Sequence, residues 1–261
     1  MSYFGRENGY RGGATIGITA LVLVLGARYA FRMLLPVFGM GPAPDLPEIH
    51  RSLLSDPISG ALFRTIDATF PSDLKRLEGD IQSRLKHNQG PKEISAATWA
   101  FVADLRKRHL GDLAQAPHDN LTELLGAEID LINTLHEESP PLCAKFGGSN
   151  ITLAEMPEGR PRELMTSFVV AQWRAMAAGR DTPAGRARGP LTPADQEAVA
   201  KALRRDGVSQ LEFEAFARGQ IGDASVDIGC GVTYHLIRAV SALPAEQRDR
   251  VFATMLAGGT S

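Results

Sequence analysis

The sequence predicts an all-α protein: a single N-terminal transmembrane helix followed by a multi-helix globular domain. Two observations predict it. Residues 12–35 hold the one strongly apolar run of the chain. Downstream, apolar residues recur at helical spacing, and strand-like alternation is confined to 150–153. The division that follows is a disordered N-terminus over 1–11, a membrane anchor over 12–35, a Pro/Gly linker over 36–44 and a helical domain over 45–261. A split of that domain into two subdomains near 139–160 stays open.

The anchor begins with sixteen uncharged residues, 12–27. At about 1.5 Å per residue they span roughly 24 Å, slightly short of the about 20 residues that a hydrocarbon core takes. The run continues through Arg28, Tyr29, Ala30, Phe31 and Arg32 into Met33, Leu34 and Leu35. Arg28 and Arg32 share one helical face and can snorkel to the headgroups with Tyr29 at the same level. These three are the expected membrane-interface residues. Pro36, Gly39, Gly41, Pro42 and Pro44 then stop the helix. A cleaved signal peptide, with Arg6 and Arg11 ahead of the apolar stretch, and a buried core helix are the rival readings. The cleavage site of a signal peptide is poor, because Ala27 has Leu25 at minus three and Ala30 has Arg28. Flanking charge is nearly balanced, Arg6 and Arg11 against Arg28, Arg32 and Arg51, so it does not orient the span. Gly13 and Gly17 form a small-xxx-small pair that could let two anchors pack, although chance in a Gly-rich segment accounts for it as well, and a homo-oligomer stays open.

From Ala43 onward the chain carries 24 Lys+Arg against 29 Asp+Glu, a net charge of −5. An acidic domain without clusters of aromatic and basic residues argues against a nucleic-acid partner. With 44% hydrophobic residues the chain is not disordered overall, despite 26 Gly and 16 Pro.

The elements follow in order. Asp45 or Pro47 opens a helix carrying Ile49, Leu53 and Leu54, broken by Asp56-Pro57, and a second helix resumes over 58–69. Pro71-Ser72-Asp73 starts a third, with a stripe of Leu74, Leu77, Ile81 and Leu85. Ser95 caps a helix over 96–110 with Trp99, Val102 and Leu105 inward. Arg106, Lys107 and Arg108 suit its C-terminal dipole as a solvated end. Asn120-Leu121-Thr122-Glu123 reads as a capping box before Leu124, Leu125, Ile129, Ile132 and Leu135. Pro140-Pro141 ends that helix, and 139–160 reads as irregular. A helix over 161–178 leads into an Arg-rich linker over 179–190, read as solvated, where Arg180, Arg186 and Arg188 could meet acidic lipid. Thr192-Pro193-Ala194-Asp195 caps the next helix, which ends at Asp206-Gly207. Ser209 to Glu212 is a further capping box. A helix over 226–243 and a last one opened by Pro244 complete the chain.

Catalytic and ligand-binding signatures are not legible. Cys143 and Cys230 are 87 positions apart and outside any CxxC. In an oxidising compartment a disulfide is their natural state, and two buried free thiols are the alternative. His235 follows Cys230 by five residues, which puts the two nearly on opposite sides of a helix, so no Cys–His pair is expected. The six histidines, His50, His87, His109, His118, His136 and His235, have no ligand spacing. The stretch from Asp206 to Glu212 resembles an EF-hand tail, but Lys201 would occupy loop position 1, so capping accounts for it. No GxSxG, GxxxxGK[ST] or GxGxxG occurs. No cofactor, metal or catalytic residue is therefore expected, and enzymatic activity is disfavoured though open. The function expected is protein–protein contact in a bacterial-type cell-envelope assembly, with the domain periplasmic and the membrane reached through the N-terminal helix. The alternatives are a small-ligand site or enzyme built from dispersed residues, and a cytoplasmic domain tethered to the inner leaflet.

Overall fold

The computed structural model describes residues 44–147, 151, 153–187, 189–217 and 225–256. Among them the chain is helical, with no strand. The anchor expected over 12–35, with Arg28, Tyr29 and Arg32, lies outside the described residues, as do 1–11 and 36–43. No helix among the described residues is long and apolar enough to cross a membrane. The elements are α1 (Leu46–Ser55), α2 (Gly60–Thr69), α3 (Pro71–Lys86), α4 (Pro91–Arg108), α5 (Leu110–Leu113), α6 (His118–Glu138), α7 (Pro140–Gly147), α8 (Arg160–Asp181), α9 (Pro193–Asp206), α10 (Gln210–Ala217), α11 (Val226–Ser241) and α12 (Ala245–Leu256). Leu153–Glu155 forms a single 3-10 turn; of the strand candidate over 150–153, residues 150 and 152 lie outside the described residues.

Helix starts follow local chemistry. Asp45 caps α1 in a reciprocal box with Glu48, and Thr192 caps α9 in the same way with Asp195. Ser209 and Glu212 exchange bonds of 2.7 and 3.3 Å at the head of α10. Gly207 closes α9 with φ +90°, a left-handed conformation that glycine takes without a Cβ penalty. Capping thus accounts for the EF-hand-like stretch.

Four expectations are corrected. The first helix turn of α4 begins at Pro91, not Ser95, which is buried inside the helix. Proline at N1 is pre-set for helical φ and has no N–H to leave unbonded. Likewise α6 starts at His118, two residues before Asn120, and the His118 ring is held by Asp249 of α12 at 2.7 Å. Pro140-Pro141 ends α6 but also opens α7, which makes 139–160 less irregular than expected. Finally, α8 runs through Gly179 and Arg180, which the sequence assigned to a linker.

The buried apolar residues, from Ile49 in α1 to Leu256 in α12, form one connected core cluster that includes Cys143, Phe146, Ile151, Leu153 and Met156 of the 139–160 stretch. Trp173 of α8 is fully enclosed, with Phe70 edge-on at 5.7 Å. α6 lies along α8, and α7 packs most extensively on α11. Two glycines permit these approaches. A Cβ at Gly147 would overlap the Thr233 side chain of α11, and one at Gly179 would overlap backbone atoms of Asp112 and Ala116. A flexible side chain can give way; backbone cannot. Gly179→Ala would gain about 1 kcal/mol of helix propensity but must push α8 off α5, a strain of 1–3 kcal/mol or more. The expected result is a net loss of about 2 kcal/mol, read as a lower denaturant midpoint. A variant as stable as the parent would contradict this packing.

Candidate functional site

A cleft of about 820 Å³ lies between α1, α2 and α3. Its apolar lining is Leu46, Pro47, Leu54 and Pro71, and its polar lining is His50, Arg51, Ser55, Asp67, Lys75 and Glu78. The volume lies in the range of ligand sites. α1 supplies one wall because its capping box fixes the helix start, so Leu46, His50 and Leu54 line one face at four-residue steps.

His50 is the centre of the site. Its Nδ1 is 2.6 Å from Oε1 of Glu78, a largely buried carboxylate on α3. Its Nε2 is 4.0 Å from Oδ2 of Asp67 on α2. A carboxylate at Nδ1 fixes the ring's orientation and leaves Nε2 to exchange protons, as for an oriented acid–base group. No sequence signal announces this, since His50, Glu78 and Asp67 come from three helices and have no motif spacing. The other histidines are also paired within the fold. His109 meets Asp112 at 2.6 Å, His118 meets Asp249 at 2.7 Å and His235 meets Asp206 at 2.8 Å. His136 stacks on Tyr234 with ring centroids 4.1 Å apart. His87 contacts its own helix at Ser83 O.

A second feature lies inside the core. Glu128 of α6 is completely buried, and neither carboxyl oxygen has a hydrogen-bond partner among the described residues. Its helical neighbours one turn away are Leu124, Leu125, Leu131 and Ile132, all buried. Burial pushes its pKa up to about 8, so the group is largely a neutral acid at pH 7. Perturbed acids of this kind concentrate at functional sites. The signal was present in the sequence. Positions 121, 124, 125, 128, 131, 132 and 135 keep strict helical register, whereas the stripe read from sequence took Ile129, which is only partly buried.

The arginines read as solvated are partly structural. Arg106 of the basic knot points inward, is 3% exposed and donates from Nε to Gln172 Oε1 at 3.1 Å. Burial lowers its pKa to about 10, and it stays charged at neutral pH. Arg180 lies over the Phe70 ring at 4.6 Å and donates to Thr69 O. Arg186 bonds Ala116 O at 2.5 Å and reaches Asp249. These contacts hold both side chains against the protein, where the linker reading left them in solvent.

Asp195 does more than cap α9. It is fully buried and takes Arg250 at 2.6 Å, Gln247 at 3.1 Å and Thr192 at 2.8 Å. The Arg250 bond holds its carboxyl well below the usual range. Asp195→Ala removes the acidic half of the capping box and the Arg250 and Gln247 bonds while the Thr192 cap remains, and is expected to cost about 2 kcal/mol at pH 7. Because its folded pKa is depressed, that contribution is present above the unfolded carboxylate pKa and fades as pH falls below it. Parent and variant should therefore converge in strong acid in a denaturant series.

Cys143 of α7 and Cys230 of α11 are joined, with Cα atoms 5.0 Å apart and both residues buried. There is no free cysteine among the described residues. No protein-family model, curated protein or solved structure matches this chain.

Proposed function

We propose that the chain is a membrane-anchored helical module whose folded domain lies outside the cytoplasm and acts by protein–protein contact in a bacterial-type cell-envelope assembly. One observation carries the contact: the α1–α3 cleft brings apolar Leu46, Pro47, Leu54 and Pro71 together with both charges, Arg51 and Lys75 beside Asp67 and Glu78. That is the composition of a docking groove, where apolar area supplies affinity and charge supplies selectivity. The cleft belongs to the first element after the apolar segment, which keeps it near a membrane-bound assembly. The Cys143–Cys230 pair supports the compartment, since structural disulfides persist in oxidising surroundings.

The test places a photo-crosslinking residue at Leu54 in the cleft and, as a control, at Glu197 on α9, in the full chain in its own membrane. A discrete protein adduct from position 54 and none from 197 is the expected result. Equal adducts from both positions, or none from either, would count against the reading. Thiol labelling with a membrane-impermeant maleimide reads the compartment independently. The label is carried by a cysteine placed at exposed Glu197 (Glu197→Cys), the two native sulfurs being bonded and buried: labelling of intact cells places the domain outside, and labelling only after lysis would make it a tethered cytoplasmic domain.

A small-ligand or enzymatic site is the second reading, favoured by the His50–Glu78 pair. It predicts that His50→Gln abolishes binding of a small molecule recovered with the purified chain and leaves the crosslink from position 54 intact.

A further inference from the structure

The α1–α3 cleft holds an imbalance of free charge. Its lining carries two carboxylates, Glu78 and Asp67, and two cations, Arg51 and Lys75. Glu78 is taken, since it accepts from Nδ1 of His50 at 2.6 Å. Asp67 is 4.0 Å from His50 Nε2, beyond hydrogen-bond reach. Among the described residues neither Arg51 nor Lys75 makes a hydrogen bond or an ion pair, and both are exposed. Other arginines of α2 and α3 are tied down: Arg64 donates to Leu54 O, Arg76 pairs with Asp73 and Arg84 with Asp80. Two free cations therefore stand against one carboxylate that no donor holds.

Beside these charges lies apolar surface that the core does not use. Leu46 is half-buried and stands outside the core cluster, and Pro47 and Pro71 are exposed. Leu54 packs on the core and still lines the cleft. Leu46 and Leu54 are two turns apart on α1, so they line one face over about 12 Å. An apolar wall of that length beside free cations fits a molecule with an alkyl chain and an anionic end. Burial of the chain supplies affinity, and the cations select the head. A free phosphate would leave the wall wet, and a cationic amphiphile would leave Arg51 and Lys75 unmet.

We propose that the cleft binds one single-chain anionic amphiphile, an alkyl carboxylate or alkyl phosphate, with its chain along Leu46 and Leu54 and its head at Arg51 and Lys75. This rests on the small-ligand reading of the cleft and gives that ligand its class. A bilayer is the source within reach. Ten residues lie between Leu35, where the apolar run ends, and Leu46, and at full extension they span at most about 40 Å.

The test uses the full chain in phosphatidylcholine nanodiscs and palmitate carrying a diazirine near its methyl end. Adducts on peptides spanning 46–78 are counted by mass spectrometry. The expected result is saturable labelling there, displaced by dodecanoate and by dodecyl phosphate, the better displacer naming the head group. Inorganic phosphate lacks the chain and dodecyltrimethylammonium lacks the anion, so both should displace about tenfold less well or worse. Arg51→Gln combined with Lys75→Gln should lower the apparent affinity about tenfold, the scale of one charge-assisted bond. Neither side chain is bonded within the fold, so the double variant keeps the parent's structure. Asp67→Asn removes the opposing charge and should raise the affinity about threefold, a gain that a damaged fold cannot imitate. Labelling that does not saturate overturns the proposal. So does equal displacement by the cationic amphiphile, an affinity unmoved in the double variant, or one that fails to rise in Asp67→Asn. An affinity lost in His50→Gln but unmoved in the double variant leaves the small-ligand reading standing and overturns the anionic head. A protein adduct from position 54 without saturable lipid labelling overturns the amphiphile and leaves the protein-contact reading standing.

Discussion

Glu128→Gln is expected to stabilise the fold at pH 7 by about 3 kcal/mol and at pH 9 by about 5 kcal/mol, with parent and variant alike near pH 4. The acid's folded pKa of about 8 stands above its ordinary 4.5, and desolvation is the cause. A group raised in this way favours the fold in its protonated form. The favourable term is fully present below pH 4.5 and drains away as pH climbs to about 8. Above that the side chain must either ionise inside an apolar shell or unfold the helices around it. Glutamine is neutral at every pH and nearly isosteric, so it keeps the shape and the unmet polar atoms and removes only the titration. Denaturant midpoints at pH 4.5, 7 and 9 read the effect directly. If the two chains keep the same pH slope, the carboxyl is solvated or paired in solution, and its candidacy as a functional acid is withdrawn.

The second large effect is loss of the Cys143–Cys230 bond. The bond closes a loop over 87 positions, and in the chain-entropy model such a loop is worth about 4 to 5 kcal/mol. Comparing the oxidised chain with the Cys143→Ser, Cys230→Ser double variant should show that loss as a lower denaturant midpoint and a larger dependence on denaturant, because the unlinked unfolded chain exposes more surface. The double variant is preferable to reductant alone, since both sulfurs are buried and reduce slowly in the native state. Equal midpoints would mean that the thiols do not pair in solution, and the compartment argument would lose its support.

Much of the fold was legible because helix ends are written locally. Asp45 with Glu48, Thr192 with Asp195, Ser209 with Glu212, Pro71 and Gly207 all act within four residues of themselves. The misreadings came where two local signals competed. Ser95 is a fair cap, but Pro91 claims the earlier turn; Pro140-Pro141 both stops one helix and starts another. The cysteine pairing was readable from the even count, although its geometry was not.

The candidate site was hardly legible at all. His50 and Glu78 are 28 positions apart, and His118 and Asp249 are 131 apart. No periodicity links them, because each sits where its own helix happens to face another. The same reason hid Arg106 and Arg186, whose charge reads as surface until a partner such as Gln172 or Ala116 O is found across the core. Glu128 differs. Its burial follows from helical register alone, and the error was to let polarity override phase.

The bond between α7 and α11 also decides how the molecule answers to tension. A pull between the N-terminal segment and the C-terminus would peel α1 to α6 and then meet Cys143, where the load crosses directly to Cys230. The 87-position span between them could otherwise pay out roughly 300 Å of chain at full extension, and it stays slack while the sulfurs are joined. Under load an oxidised chain is therefore a short tether with a folded reserve, and a reduced one is a long tether.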